Sequence, residues 1–342
     1  MNYPFDLQTV WFLLVGVLLT GYAILDGFDL GIGTVYLLAK GDKNRRTLLN
    51  AIGPVWDGNE VWLITGGGAL FAAFPHVYAT VFSGFYLPFV LLLFGLIFRA
   101  VAIEFRSKLE SQRWRNAWDV SFSVASVLIA LLAGVALGNM IVGVPLNQEM
   151  EYTGTFFTLL NPYSLLVGVT TVALFTMHGS IYAVLKTEGE LQEQARKWVF
   201  GSIIFFALCY VLTTMSTLLF FPHMAEKFRT QPILLAVPML NVLALFNIPR
   251  EIYRRNETMA FVSSCVAVAT LMALFGIGLY PNLVLSNPNP EYSLTIRNAS
   301  SSNASLTIML TIAILGMPFV LAYTSAIYWV FRGKVNTEAL HY

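Results

Sequence analysis

Nine apolar stretches recur along this chain, most of them long enough to cross a lipid bilayer as a helix, with only short connections between them. A hydrocarbon core takes about 20 residues of helix to cross. The runs cover residues 7–38, 54–74, 77–98, 118–144, 162–185, 199–221, 232–248, 259–279 and 306–331, the seventh being short. Only 11% of the 342 residues are charged and 57% are hydrophobic, whereas soluble domains carry roughly 25% charged residues. The expected fold is therefore all-α integral membrane, with about nine transmembrane helices. A net charge of +1 gives no basis for a nucleic-acid partner. The first run follows a segment without Lys or Arg and has no small-residue cleavage site, so it reads as a span rather than a signal peptide. Cys209 and Cys265 both lie within apolar runs, so neither a disulfide framework nor a metal-binding pair of cysteines is expected.

The basic residues set the orientation. Alternate connections hold Lys40, Lys43, Arg45 and Arg46; Arg99, Arg106, Lys108, Arg113 and Arg115; Lys186, Arg196 and Lys197; Arg250, Arg254 and Arg255; and Arg332 with Lys334. The opposite connections hold only Lys227, Arg229 and Arg297. Basic connections stay cytoplasmic, so the N-terminus is expected outside and the C-terminus inside. The pattern LLVGV at residues 13–17 recurs at 165–169, and Arg115-Asn116 is echoed by Arg255-Asn256. Such self-similarity suggests two four-helix bundles plus one extra helix: residues 1–145, residues 146–280, and residues 281–342 with an outer loop, the last helix and a cytoplasmic tail.

Ionisable side chains at membrane depth are costly, and each is a functional hypothesis. Asp26 and Asp29 lie three apart in the first span, and Asp57 and Glu60 lie three apart in the second; this spacing puts each pair on one helix face. Entered from outside near Leu7, the first helix carries Asp26 roughly 28 Å inward, while Asp57 and Glu60 occupy the inner turns of the second. Both pairs thus fall in the cytoplasmic half, with Glu104 and Lys108 at its mouth. An acidic cluster open to the cytoplasm suits proton uptake. The same residues also have a plainer reading: Asp57 beside Gly58-Asn59 as a helix-start device, and Asp29 as the counter-ion of Arg99 or of a partner's arginine. Gly66-Gly67-Gly68 reads as helix packing, since no strand or Lys-Ser/Thr follows as a phosphate loop needs. Of the four histidines, His76 and His223 fall at the outer surface and His341 in the tail, leaving His178 alone at depth. A bis-His haem needs two, so no haem or metal bound by this chain is expected.

With these residues in view, the chain resembles subunit II of the cytochrome bd quinol oxidases. The likeness is carried by residues 21–33 (GYAILDGFDLGIG), 54–74 (PVWDGNEVWLITGGGALFAAF), 82–86 (FSGFY), 106–119 (RSKLESQRWRNAWD), 138–145 (GNMIVGVP) and 160–168 (LNPYSLLVG), with LAYTSAIYW in the last helix. It is looser in the second half. The resemblance implies a bacterial plasma-membrane heterodimer with a homologous subunit I that holds two haems b, haem d and the quinol-oxidising loop. It implies that this subunit is haem-free, supports the complex and contributes to a cytoplasmic proton path, with Asp57 and Lys108 at the family's positions. Some members carry a very small third subunit. Two rival readings are a secondary transporter, which the internal repeat would suit, and a purely structural scaffold in the membrane.

Overall fold

The computed structural model describes residues 6–336; His341 lies outside the described residues. Helix α1 spans Leu7–Val35 and runs on as a 3-10 turn over Tyr36–Leu38, followed by the short α2 (Asp42–Ile52). Then come α3 (Trp56–Ala73), α4 (Pro75–Gly84) and α5 (Tyr86–Phe105), which ends in a 3-10 turn over Arg106–Lys108. The chain continues through α6 (Gln112–Val142), α7 (Pro162–Lys186), α8 (Gly189–Phe220), α9 (His223–Thr230), α10 (Ala236–Tyr253), α11 (Glu257–Leu279) and α12 (Asn303–Val330). Strands β1 (Asn282–Val284) and β2 (Leu294–Thr295) pair antiparallel in the loop before α12, a small addition to an otherwise helical fold. Among the described residues, eight helices are long and apolar enough to span a membrane. The expected span not among them is the second, α3, whose 18 residues reach about 27 Å. Its first turns carry Asp57, Asn59 and Glu60, which dilute its hydropathy.

Start signals explain several boundaries. Asp6 caps α1 by accepting from the Thr9 amide at 2.8 Å, and Thr9, by its side chain first and then this amide, holds the Asp6 carboxyl below the usual carboxylate range. Asn161 caps α7 ahead of Pro162, and Ser302 caps α12. The expected third span, 77–98, is corrected. Pro75 opens a separate ten-residue helix, α4, and the chain breaks again at Phe85 (φ −98°, ψ 24°). At about 15 Å, α4 is too short to cross; the span is Tyr86–Lys108. Stacked rings of Tyr78, Phe82 and Phe89, with centroids 4.0 and 4.1 Å apart, carry the chain around this corner. The sixth span begins at Gly189 rather than 199, and the seventh runs on to Tyr253 through Pro249.

Helix α1 is the hub. It packs on α3, α6, α7 and α11, while α5 packs on α6, α8 on α7, and α10 on α11. One face of α1 is glycine and touches α7. A Cβ on Gly31 would run into the backbone of Phe175 and Gly179, and one on Gly179 into the backbone of Gly31. Backbones that approach so closely admit no methyl group, which is how small residues draw membrane helices together. Gly31→Ala is therefore expected to destabilise the protein by about 3 kcal/mol or more, since the obstructing atoms are backbone and cannot swing away. Detergent-solubilised protein should show this as a lowered melting temperature; an unchanged melting point would mean that the crossing is looser than it looks.

By contrast, α12 buries only Leu306 and touches the rest mainly near its ends. There Trp11 Nε1 donates to the Leu306 carbonyl at 3.0 Å. At the other end Lys186 donates to the Phe331 carbonyl, and the Val335 amide donates to Lys186 O at 2.9 Å.

Candidate functional site

The face of α1 that turns away from α7 is acidic. Asp26 and Asp29, one turn apart, are both fully buried, and they meet α5 and α3. Helix α5 brings Arg99, also without solvent exposure. Its guanidinium clasps Asp26 with two parallel bonds, Nη1 to Oδ2 at 2.9 Å and Nη2 to Oδ1. Such forked pairs are the strong ones. The same guanidinium lies 3.4 Å from Glu60 Oε1 and 4.0 Å from Asp29 Oδ2. One cation thus serves three carboxylates. Arg99, counted from sequence among the cytoplasmic connections, sits instead inside the α5 span; the Asp26 pairing makes that depth tolerable.

Two further groups complete the site. Asn59 of α3 donates from Nδ2 to Asp29 Oδ2 at 2.7 Å and to the Leu25 carbonyl at 3.1 Å. Tyr328 of α12 donates its hydroxyl to Asn59 Oδ1 at 2.9 Å. Asp29 Oδ1, Glu60 Oε1, Arg99 Nε and the Tyr22 hydroxyl have no hydrogen-bond partner among the described residues. Buried polar atoms are seldom left that way; four of the ten such side-chain atoms among the described residues belong to this group.

The structure brings Asp26, Asp29 and Glu60 together. It leaves Asp57 exposed one turn earlier on α3, and Glu104 and Lys108 exposed at the end of α5. No hydrogen bond or ion pair reaches these three among the described residues. Sequence reading missed Asn59 and Tyr328 as site residues. It also missed Asp119 of α6, which accepts from Tyr36 at 2.8 Å, Arg45 at 2.8 Å and Arg106 at 2.5 Å. With Asp42, which accepts from Arg106 and Arg115, it pins α2 beneath the ends of α5 and α6.

His178 is buried and fully engaged. Its Nε2 faces the Ile24 carbonyl at 2.9 Å, Nδ1 faces the Ser264 hydroxyl at 2.8 Å, and the ring stacks on Phe261. A carbonyl only accepts, so Nε2 carries the proton, and neither nitrogen is free to ligate. Among the described residues no group of three or more His, Cys, Asp or Glu side chains is placed to hold a metal ion.

A helical membrane protein with a buried, charge-paired carboxylate cluster is the class that fold and site define. The sequence profile of cytochrome bd terminal oxidase subunit II matches residues 7–331, and the chain belongs to that family. It is 37% identical over 366 aligned residues to cytochrome bd-I ubiquinol oxidase subunit 2 of Escherichia coli (strain K12), covering 97% of this chain and 96% of that one. It is 36% identical over 340 residues to cytochrome bd ubiquinol oxidase subunit 2 of Bacillus subtilis (strain 168), covering 97% of each. The solved bd oxidase structure from Geobacillus thermodenitrificans shares the fold, with a TM-score of 0.79 at 18% identity, over 95% of this chain and 98% of that one.

Proposed function

We propose that this chain is the haem-free subunit of a quinol:oxygen oxidoreductase in a bacterial plasma membrane, and that it delivers cytoplasmic protons for the reduction of dioxygen to water. The observation that carries the proposal is the cluster itself: three carboxylates around one buried guanidinium, in a chain of this family. Among the described residues, its histidines do not fit a haem. His178 has both nitrogens engaged, and His76 and His223 are exposed. The two haems b and haem d are accordingly assigned to a homologous subunit I, and no step on them is derived from this chain; a small third subunit belongs to the same reading.

In this proposal protons enter at the basic end, past Glu104 and Lys108, and reach α3 at Asp57 and Glu60. From there the Arg99 guanidinium, flanked by Glu60, Asp29 and Asp26, keeps the negative charges close enough to exchange a proton without expelling one another. A stripe along α3 supports its facing the partner: Asp57, Val61, Ile64, Gly68 and Phe71 are all exposed, and a Cβ on Gly58, Gly67 or Gly68 would meet nothing. A carboxylate left against lipid is costly; a basic side chain of subunit I would cover Asp57, with a helix close against the glycines. The internal repeat would make α1, α3, α5, α6 and α7, α8, α10, α11 two units, with α7 packed against both α1 and α6 across their boundary and α12 as the extra helix.

Copurification with subunit I, followed by visible spectroscopy, tests the assignment. The pair is expected to show haem b and haem d bands, and His178→Ala should keep every one of them. Selective loss of a band from an assembled complex would overturn the haem-free reading. Asp57→Asn in the same preparation should slow oxygen consumption about tenfold or more; a wild-type rate removes Asp57 from the route, because Asp57 is not the N-cap of α3, which is Val55, and makes no capping bond for Asn to lose.

A further inference from the structure

The link from Tyr328 to Asp29 has a direction. Leu25 O and Asp29 Oδ2 can only accept, so the Asn59 amide must turn its NH2 toward α1 and its Oδ1 toward α12. Tyr328 is the donor that meets Oδ1. Asn59 is 2% exposed, so without that hydroxyl its oxygen would be a buried acceptor without a partner. That state costs as much as a desolvated polar group, and the amide would relieve it by rotating off Asp29. With Asn59 in place, Oδ2 of Asp29 is occupied and Oδ1 has no partner among the described residues. Oδ1 is then the oxygen on which a proton can arrive.

We infer that Tyr328 is a positioning residue of the proton route: acting through Asn59, it fixes the Asp29 carboxyl so that Oδ1 is presented for proton exchange. The inference rests on the proton-delivery reading above. It makes the otherwise loosely packed α12 part of the site. Hydrogen-bond chains of this kind polarise one another, so loss at one end weakens the contact at the other.

The test uses the haem-loaded two-subunit complex and follows oxygen consumption across pH. Tyr328→Phe, which removes one oxygen atom, is expected to lower turnover about threefold to tenfold and to shift the pH of half-maximal rate. In an Asn59→Ala background the same change should add nothing, because residues acting in series do not add. A merely structural α12 anchor would lower the melting temperature, leave the pH profile in place and add to Asn59→Ala. Asn59→Ser shortens the link from the α3 side without touching α12 and should reproduce the Tyr328→Phe profile, which keeps the test open even if the phenylalanine complex assembles poorly. Wild-type profiles in Tyr328→Phe or Asn59→Ser alongside a slowed Asp29→Asn overturn this inference and leave the proton route standing. A wild-type rate in Asp29→Asn removes the route at Asp29, and the role of Tyr328 with it.

Discussion

Arg99→Gln is expected to prevent assembly of the complex. The arginine is fully buried, clasps Asp26 with two bonds and lies within 4.0 Å of Asp29. Glutamine leaves Asp26, Asp29 and Glu60 facing one another without a cation. Breaking a buried pair from one side costs about 3–5 kcal/mol, a large share of the 5–15 kcal/mol that separates folded from unfolded in typical domains. The measurement is the yield of haem-loaded complex from membranes. Arg99→Gln combined with Asp26→Asn should recover much of that yield, since a neutral amide pair can satisfy itself. If the single variant accumulates like the wild type, the guanidinium is not what holds these three helices together.

Asp29→Asn should have the opposite signature: full assembly, little turnover. The asparagine oxygen can still accept from Asn59 Nδ2, so the contact with α3 survives. The side chain can no longer carry a proton. A positioned proton-transfer group commonly contributes 10²–10⁴-fold; a fall of about a hundredfold in oxygen consumption at normal haem content is expected. Glu60→Gln, at the half-buried edge of the cluster, should show a smaller loss, because water can partly stand in for a group that solvent reaches.

Much of this was legible in the sequence because bilayers impose simple arithmetic. Apolar runs marked the spans, and a spacing of three predicted that Asp26 and Asp29 share a face, in keeping with both carboxylates reaching the Arg99 guanidinium. Span ends were harder. Arg99 was placed outside its helix because a charge after an apolar run normally marks the interface; here the counter-ion lies within the membrane, on α1. Its rescue was hinted at by the pairing of Asp29 with Arg99 as a plain counter-ion, although the stronger partner proved to be Asp26. Asp57 and Glu60 have the same spacing as the α1 pair, yet Asp57 stays exposed because it falls in the first turn of α3. Asn59 and Tyr328 were beyond reach. They are 269 residues apart, and neither residue type stands out in a chain with 15 tyrosines. Only packing reveals that an ordinary asparagine relays between two distant helices.

The sparse burial of α12 bears on the order in which the protein matures. Domains generally take shape from the N-terminus as the chain is made, so α1, α3 and α5 can bring Asp26, Asp29 and Arg99 together while the C-terminal part is still in the ribosome. Asn59 then waits, its oxygen unclaimed, until α12 is inserted and docks by its two ends. On this order the charge pairs would form first and the Tyr328 contact to Asn59 last, once residue 328 has left the ribosome and α12 has entered the membrane.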